Sequence, residues 1–283
     1  MKLLLSWIGT HITSWHQPPV SDIVARFNAT VAEIEQLIAI TRNVDVWHAG
    51  VVERVHETVS VVFPGHKKTG ELPHRADVEI GDTVLAIEDK GALRWLTMRD
   101  AGSVKEHLFP AVAIQPDELK TGEWKRIIAP IDYVLDIENK SITHRPDLWS
   151  HRGVAREIAA LFQQTLVPID ALLKPISKSD EDGKGDMRGA AVTDTRCSVL
   201  AAAQMTSPAF CPSIVSVACM LSALDIRPIS TWVDLTNMVM VDLGHPMHAF
   251  DATVFEGETI MVRAGHNGEK LELLDGETVT LTA

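Results

Sequence analysis

The chain has 283 residues, a formal net charge of −12 at pH 7 and 46% hydrophobic residues, which is room for two or three domains with ordinary cores. The acidic balance argues against a broad electrostatic nucleic-acid surface, which needs clustered Lys and Arg; the local basic stretches are Lys120–Arg126, His144 with Arg145, and Arg152–Arg156. No apolar run is long enough to span a bilayer, and three cysteines (Cys197, Cys211, Cys219) without CxxC spacing imply neither a disulfide framework nor a zinc knuckle, so a reducing, cytoplasmic setting is expected.

The opening MKLLLSWIGTHITSW reads as an amphipathic element of the fold, since its apolar run is too short and interrupted for a leader. From Ser21 to Ile40, Ile23, Val24 and Phe27 and then Val31, Ile34, Leu37 and Ile38 recur at helical spacing, with a polar break at Asn28–Thr30, and predict helix. Between Val44 and Ile128 the texture changes to short β-type runs at 51–55, 59–63, 83–87 and 93–98, with Asp89-Lys90-Gly91 as a hairpin signal. Such strands predict a small barrel or sandwich, a set that includes the five-stranded oligonucleotide-binding (OB) barrel.

Helix returns in Ser141–Phe162 (SITHRPDLWSHRGVAREIAALF), where Pro146 and Asp147 open a turn, Ser150 can cap, and Val154, Ile158, Leu161 and Phe162 share a face. Arg152, Arg156 and Glu157 lie off that stripe and are expected in structural ion pairs. Gly153 costs about 1 kcal/mol relative to Ala in a helix, which signals a close backbone neighbour. Pro175–Gly189 is polar and aperiodic and reads as a linker. An apolar helix follows at 213–224, then strands at 259–264 and 270–281 with a tight turn about Asp275-Gly276. Ending on a strand is the pattern of a truncated domain.

The densest polar grouping in an apolar setting is Thr231–Asp251 (TWVDLTNMVMVDLGHPMHAFD). Thr236, Asn237 and His248 offer a hydroxyl, an amide and an imidazole that can hold and polarise an ester carbonyl or orient a water. Equally, Thr236 and Asn237 can satisfy buried backbone and His248 can be a hydrogen-bonded core histidine. His245, His248 and Asp251 have the spacing of metal ligands on a helix, but Gly244 and Pro246 oppose a helix there, and no metal site is expected. No GxGxxG between strand and helix, GxxxxGK[ST] or GxSxG occurs, so nucleotide hydrolysis and serine-hydrolase chemistry lack support.

Two segments resemble a known family, the β subunit of bacterial phenylalanine–tRNA ligase (phenylalanyl-tRNA synthetase). SITHRPDLWSHRGVAREIAAL is similar to its NRPD-LS-H-GIAREIAAL signature, and VDLTNMVMVDLGHPMHAFD to its VD-TNYVM-E-GQP-HAFD signature, in the family's order. Met238 stands where the family has Tyr, His245 where it has Gln, and the 44–128 segment lacks a His-Pro-Asn-Ala-Asp-type motif.

The resemblance implies an α+β chain: an N-terminal α/β domain over 1–43 plus 129–175, an OB-like barrel insert over 44–128, a linker over 176–190, and the start of a B3/B4-like editing domain over 191–283. It implies that Thr236, Asn237 and His248 belong to an editing pocket that hydrolyses mischarged Tyr-tRNA(Phe). The pocket is expected to be incomplete, because the family's editing domain continues further. The implied partners are the α subunit and tRNA(Phe), in an α2β2 heterotetramer, with no membrane. No cofactor is expected on this chain, since ATP and Mg2+ belong to the α subunit's synthetic site. A non-catalytic RNA-binding or assembly module of the same fold is the alternative.

Overall fold

A computed structural model describes residues 1–64, 68–172, 189–202, 211–254, 259–273 and 276–282. The first half contains β1 (Lys2–Leu4), α1 (Leu5–Thr10), α2 (Val20–Thr30), β2 (Ile34–Thr41), β3 (Trp47–Val55), β4 (Thr58–Phe63), β5 (Lys68–Pro73), β6 (Thr83–Asp89), β7 (Ala92–Trp95), β8 (Val112–Ala113), α3 (Pro116–Thr121) and β9 (Ile131–Ile137). Then come α4 (His151–Leu161), α5 (Ile169–Leu172), β10 (Gly189–Val192), β11 (Ser213–Ile214), α6 (Val215–Ala223), α7 (Thr231–Leu243), β12 (Thr259–Val262), β13 (Lys270–Glu272) and β14 (Thr278–Thr280). They build a mixed α+β chain of two compact units, one from Met1–Lys174 with Ala209–Ala249, the other from Pro175–Pro208 with Phe250–Ala283.

In the first unit, β9 is the centre of an antiparallel sheet of order β1-β9-β2 and is buried on both faces. Leu135 and Ile137 join Ile8, Ile23, Phe27, Val154 and Ile158 in one core. Val134 faces the other way, into a cluster with Leu4, Trp7, Ile40, Ala223 and Leu224. A central strand covered on both sides needs apolar residues at odd and even positions, which IDYVLDI largely supplies.

The helix predicted across 21–40 stops at Thr30, and its second half is strand β2. The Val31 and Ala32 amides both bond back to the Phe27 carbonyl, and the Asn28 side chain accepts from the Ile34 amide at 2.8 Å, turning the chain. Beyond that turn, β-branched Ile34, Ile38 and Ile40 pair along β9, with a bulge between Ile34 and Gln36. In so short a run, periodicity alone does not separate helix from strand.

Residues 47–95 form a five-stranded antiparallel sheet of order β5-β4-β3-β6-β7 whose edge strands also touch, so it nearly closes on itself. β3, β4, β6 and β7 fall on the predicted runs; β5 was not predicted, because KTGELP is polar and carries Gly and Pro. Lys90 and Gly91, both at positive φ, form the two-residue turn between β6 and β7. One face of the sheet encloses Val52, Val59, Val61, Phe63, Leu72, Val84 and Trp95. The other gathers Trp47, Leu85, Phe109 and Trp124 with Val215, Ala218 and Cys219 of α6. α6 is therefore apolar all round, with Ala223 at its far end in the cluster beneath β9.

The second unit holds a parallel β10–β12 pair and an antiparallel β13–β14 pair. The expected hairpin is present as flanking strands with Gly276 at positive φ, while Asp275 lies outside the described residues, as does nearly all of the expected linker.

α4 starts as its sequence predicts, with the Ser150 hydroxyl accepting from the Gly153 amide at 2.9 Å. Val154 and Ile158 are buried, and Leu161 and Phe162 pack against the same core. At Gly153, a Cβ would run into the Asp147 carbonyl of the preceding turn. Helix propensity alone makes Gly153→Ala stabilising by about 1 kcal/mol. The close approach reverses the sign: Gly153→Ala is expected to destabilise by several times RT or to displace the 146–148 turn, read as a lower urea midpoint at unchanged m-value.

Candidate functional site

The motif segment Thr231–Leu243 folds as α7, held at both ends by buried polar contacts. At its start, Asp234 is 1% exposed and accepts from the Ser213 hydroxyl at 2.5 Å and the Ile229 amide at 2.9 Å. Burial pushes this carboxyl above the usual range, and the hydrogen bonds oppose that shift. At its end, Gly244 takes the left-handed conformation at φ 77° and returns its amide to Met240 at 2.9 Å. A Cβ there would lie 3.4 Å from the Trp149 carbonyl, so the helix stops against the turn that caps α4.

His151, from the other motif, joins the two segments. It is fully buried, accepts from the Leu4 amide at Nε2 (3.0 Å), and donates from Nδ1 to the Val241 carbonyl on α7 (2.8 Å). These partners assign the neutral Nδ1–H tautomer. Burial is the main reason its pKa falls from 6.5 to about 4, and the ring stacks on Trp7 with centroids 4.1 Å apart. One residue along α7, Asp242 accepts from His11 Nε2 at 2.6 Å, and His11 is itself 2% exposed.

The surface of the α4 motif is an ion-pair network. Arg145 binds Asp147 at 2.8 Å and Glu157 at 2.6 Å, and Arg156 also reaches Asp147. The Arg145 hydrogen bond holds the Asp147 carboxyl down at about 2. Arg156 and Glu157 thus stand in the expected ion pairs. Arg152 does not: its guanidinium donates to the Val167 carbonyl at 2.9 Å. A cleft of about 390 Å³ lies here, lined by Asp147, Ser150, Arg152, Gly153, Arg156, Leu166 and Leu243.

Thr236 and Asn237 sit half-buried in the middle of α7, and the Thr236 hydroxyl donates to the Val233 carbonyl at 2.8 Å. As sequence neighbours on a helix they point about 100° apart. His248 follows the helix stop on an exposed stretch, in the same unit. His245 is likewise exposed, and Asp251 belongs to the second unit, where it accepts from the Thr253 amide and hydroxyl. Among the described residues no group of three His, Cys, Asp or Glu is placed to hold a metal ion. No described helix is long and apolar enough to cross a membrane.

The structural roles of His11, His151 and Asp242 were not read from the sequence. For His11 and Asp242 the signal is a histidine or carboxylate inside a largely apolar stretch, SWIGTHI or VMVDL, while His151 stands among polar neighbours in WSHRG; none of the three shows its long-range partner in the sequence.

Residues 196–283 match the family model of the B3/4 domain, which defines the class of module this segment carries. The relatives of the chain are β subunits of phenylalanine–tRNA ligase. The one from Solibacter usitatus is 39% identical over 53% of this chain and 19% of its own length. That from Streptococcus mutans is 34% identical over 66% of this chain and 22% of its own. That from Leptospira biflexa is 24% identical over 99% of this chain and 37% of its own. The chain thus spans between about a fifth and somewhat over a third of these curated relatives.

The buried, neutral His151 generates a pH prediction. Its folded pKa of about 4 lies below the ordinary 6.5, so its contribution is present above pH 6.5 and drains away as pH falls toward 4. The full loss is about 3 kcal/mol. Urea unfolding at pH 7 and pH 4.5 should show this fall. His151→Phe should be less stable at pH 7 by about 1–3 kcal/mol, with the Leu4 amide and Val241 carbonyl unpaired, and should show a shallower decline with acid.

Proposed function

We propose that the chain is part of a phenylalanine–tRNA ligase β subunit and contributes to hydrolysis of Tyr-tRNA(Phe), with Thr236, Asn237 and His248 as the acting groups. The observation that carries this reading is the match of residues 196–283 to the B3/4 domain, which contains all three. The anchoring of α7 supports it: tied through Asp234 at one end and His151 and Asp242 at the other, the helix presents Thr236 and Asn237 from a fixed frame. In this reading, the Thr236 hydroxyl and Asn237 amide hold the ester and its attacking water, and His248 moves the proton. A site that hydrogen-bonds the tyrosine hydroxyl discriminates strongly against phenylalanine, which lacks it. The α subunit and tRNA(Phe) are the partners, and ATP chemistry lies with the α subunit.

Two observations favour a second reading, a non-catalytic RNA-binding or assembly module. The cleft beside α4 is lined by none of the three residues, and His248 is exposed.

Hydrolysis of Tyr-tRNA(Phe) and Phe-tRNA(Phe) by the 283-residue chain separates the two. Loss of the tyrosyl ester alone, slowed at least about tenfold in both Asn237→Ala and His248→Ala, a change of about 1.4 kcal/mol in the barrier, is the expected result. Binding of tRNA without hydrolysis by a folded chain assigns the second reading.

A further inference from the structure

The sheet of order β1-β9-β2 ends at β2, whose outer edge pairs with no strand among the described residues. Such an edge is a template for another extended chain. Natural edges are commonly blunted by Lys, Pro, shortness or a bulge; β2 runs eight residues, IEQLIAIT, without a cation or a proline, and its bulge at Ile34–Gln36 and its one charge, Glu35, lie at the strand start, leaving 37–41 regular.

The face beside this edge is partly bare. The register sets Leu37 beside Leu135, Ala39 beside Tyr133 and Thr41 beside Ile131, on the side where α1, α2 and α4 cover Ile34, Leu135 and Ile137 and Tyr133 packs partly against the same core. Leu37 is 40% exposed and Ile131 62%, Ala39 and Thr41 are exposed, and Tyr133 is half-buried. The strand start carries acid: Glu33 and Glu35 are exposed, with Glu138 across the sheet. Hydrogen bonding to Glu138, and then its charge, raise the Glu35 carboxyl above its usual range, while the Lys140 amide and charge and the N-terminal ammonium draw Glu138 the other way. The nearby N-terminal ammonium is engaged by Asp136, Asn139 and the Ile137 carbonyl.

We propose that the outer edge of β2 and its bare flank form a docking surface for an extended, lysine- or arginine-bearing segment of a partner protein, which adds to the sheet as a fourth strand. The main chain of the segment pairs with Glu35–Ala39, its β-branched residues cover Leu37, Ala39 and Ile131, and its cations meet Glu33, Glu35 and Glu138. Charge decides between this occupant and a second copy of the chain, because a second β2 would bring no cation to the acidic end.

The test uses the 283-residue chain and a labelled eight-residue peptide of alternating lysine and valine, the length of β2. Two controls are the same peptide with a central proline and one with glutamate for lysine. Expected are saturable binding of the Lys–Val peptide and a new hydrogen-exchange protection at residues 35–39. Affinity should fall at least about tenfold with either control peptide, with the Glu33→Lys/Glu35→Lys pair and with Leu37→Ser, each variant keeping the parent's circular dichroism. The proposal is overturned by absence of saturable binding, by equal binding of the glutamate peptide, by protection elsewhere, or by a dimer in sedimentation that protects 35–39 and resists the peptide.

Discussion

His151 takes one hydrogen bond from the Leu4 amide and gives another to the Val241 carbonyl, and most of the first unit is arranged around that exchange. A buried imidazole that donates at one nitrogen and accepts at the other must be neutral and in one tautomer. The chain enforces this by desolvation, with Trp7 stacked on the ring and no solvent access. The bond joins the end of β1, the start of α4 and the end of α7, segments more than 80 residues apart in sequence. A second histidine, His11, grips the next residue of α7 through Asp242, so the motif helix is clamped from α4 and from the N-terminal segment together.

The same economy governs how the 47–95 sheet is carried. The chain leaves β2 and returns in β9 at paired positions, with Thr41 beside Ile131 and the Arg42 amide on the Pro130 carbonyl at 2.7 Å. Exit and re-entry are thus adjacent, and the intervening segment closes on itself with its own core. The Arg42 side chain, buried, donates to the Ala101 and Ala129 carbonyls and stitches the junction. Asp225 adds a second stitch, accepting from Lys2 Nζ at 2.5 Å, the Ser103 hydroxyl at 2.6 Å and the Val104 amide at 2.9 Å. Each carboxylate or guanidinium here spends its capacity on backbone or on a partner far away in sequence, which is how buried charge is tolerated.

What was legible in the residues is mostly local. Ser150 and Gly153 announce the start of α4, Lys90-Gly91 the β6–β7 turn, and the valine-rich runs their strands, because caps, turns and alternation are decided within a few residues. The 31–40 stretch reads as helix because its isoleucines satisfy both periods, and pairing with β9, almost 100 residues away, makes 34–41 a strand. β5 was invisible because a polar edge strand is stabilised by its neighbour's backbone and not by its own side chains. Arg152 was expected in an ion pair and instead bonds the Val167 carbonyl, a partner no spacing rule names.

For the candidate site, the sequence by itself determined which residues are chemically capable: Thr236, Asn237 and His248, in a segment similar to the B3/4 domain, with Gly244 and Pro246 ending any helix before the histidine. Those are properties of side-chain type and of backbone preference over a few residues. The tertiary structure decided that Thr236 and Asn237 ride on a helix held at both ends, that His248 lies beyond its stop, and that His151 and Asp242 are anchors. It had to, because burial and long-range hydrogen bonds set whether a histidine is a buried neutral tie or an exposed side chain, and neither exists until distant segments meet.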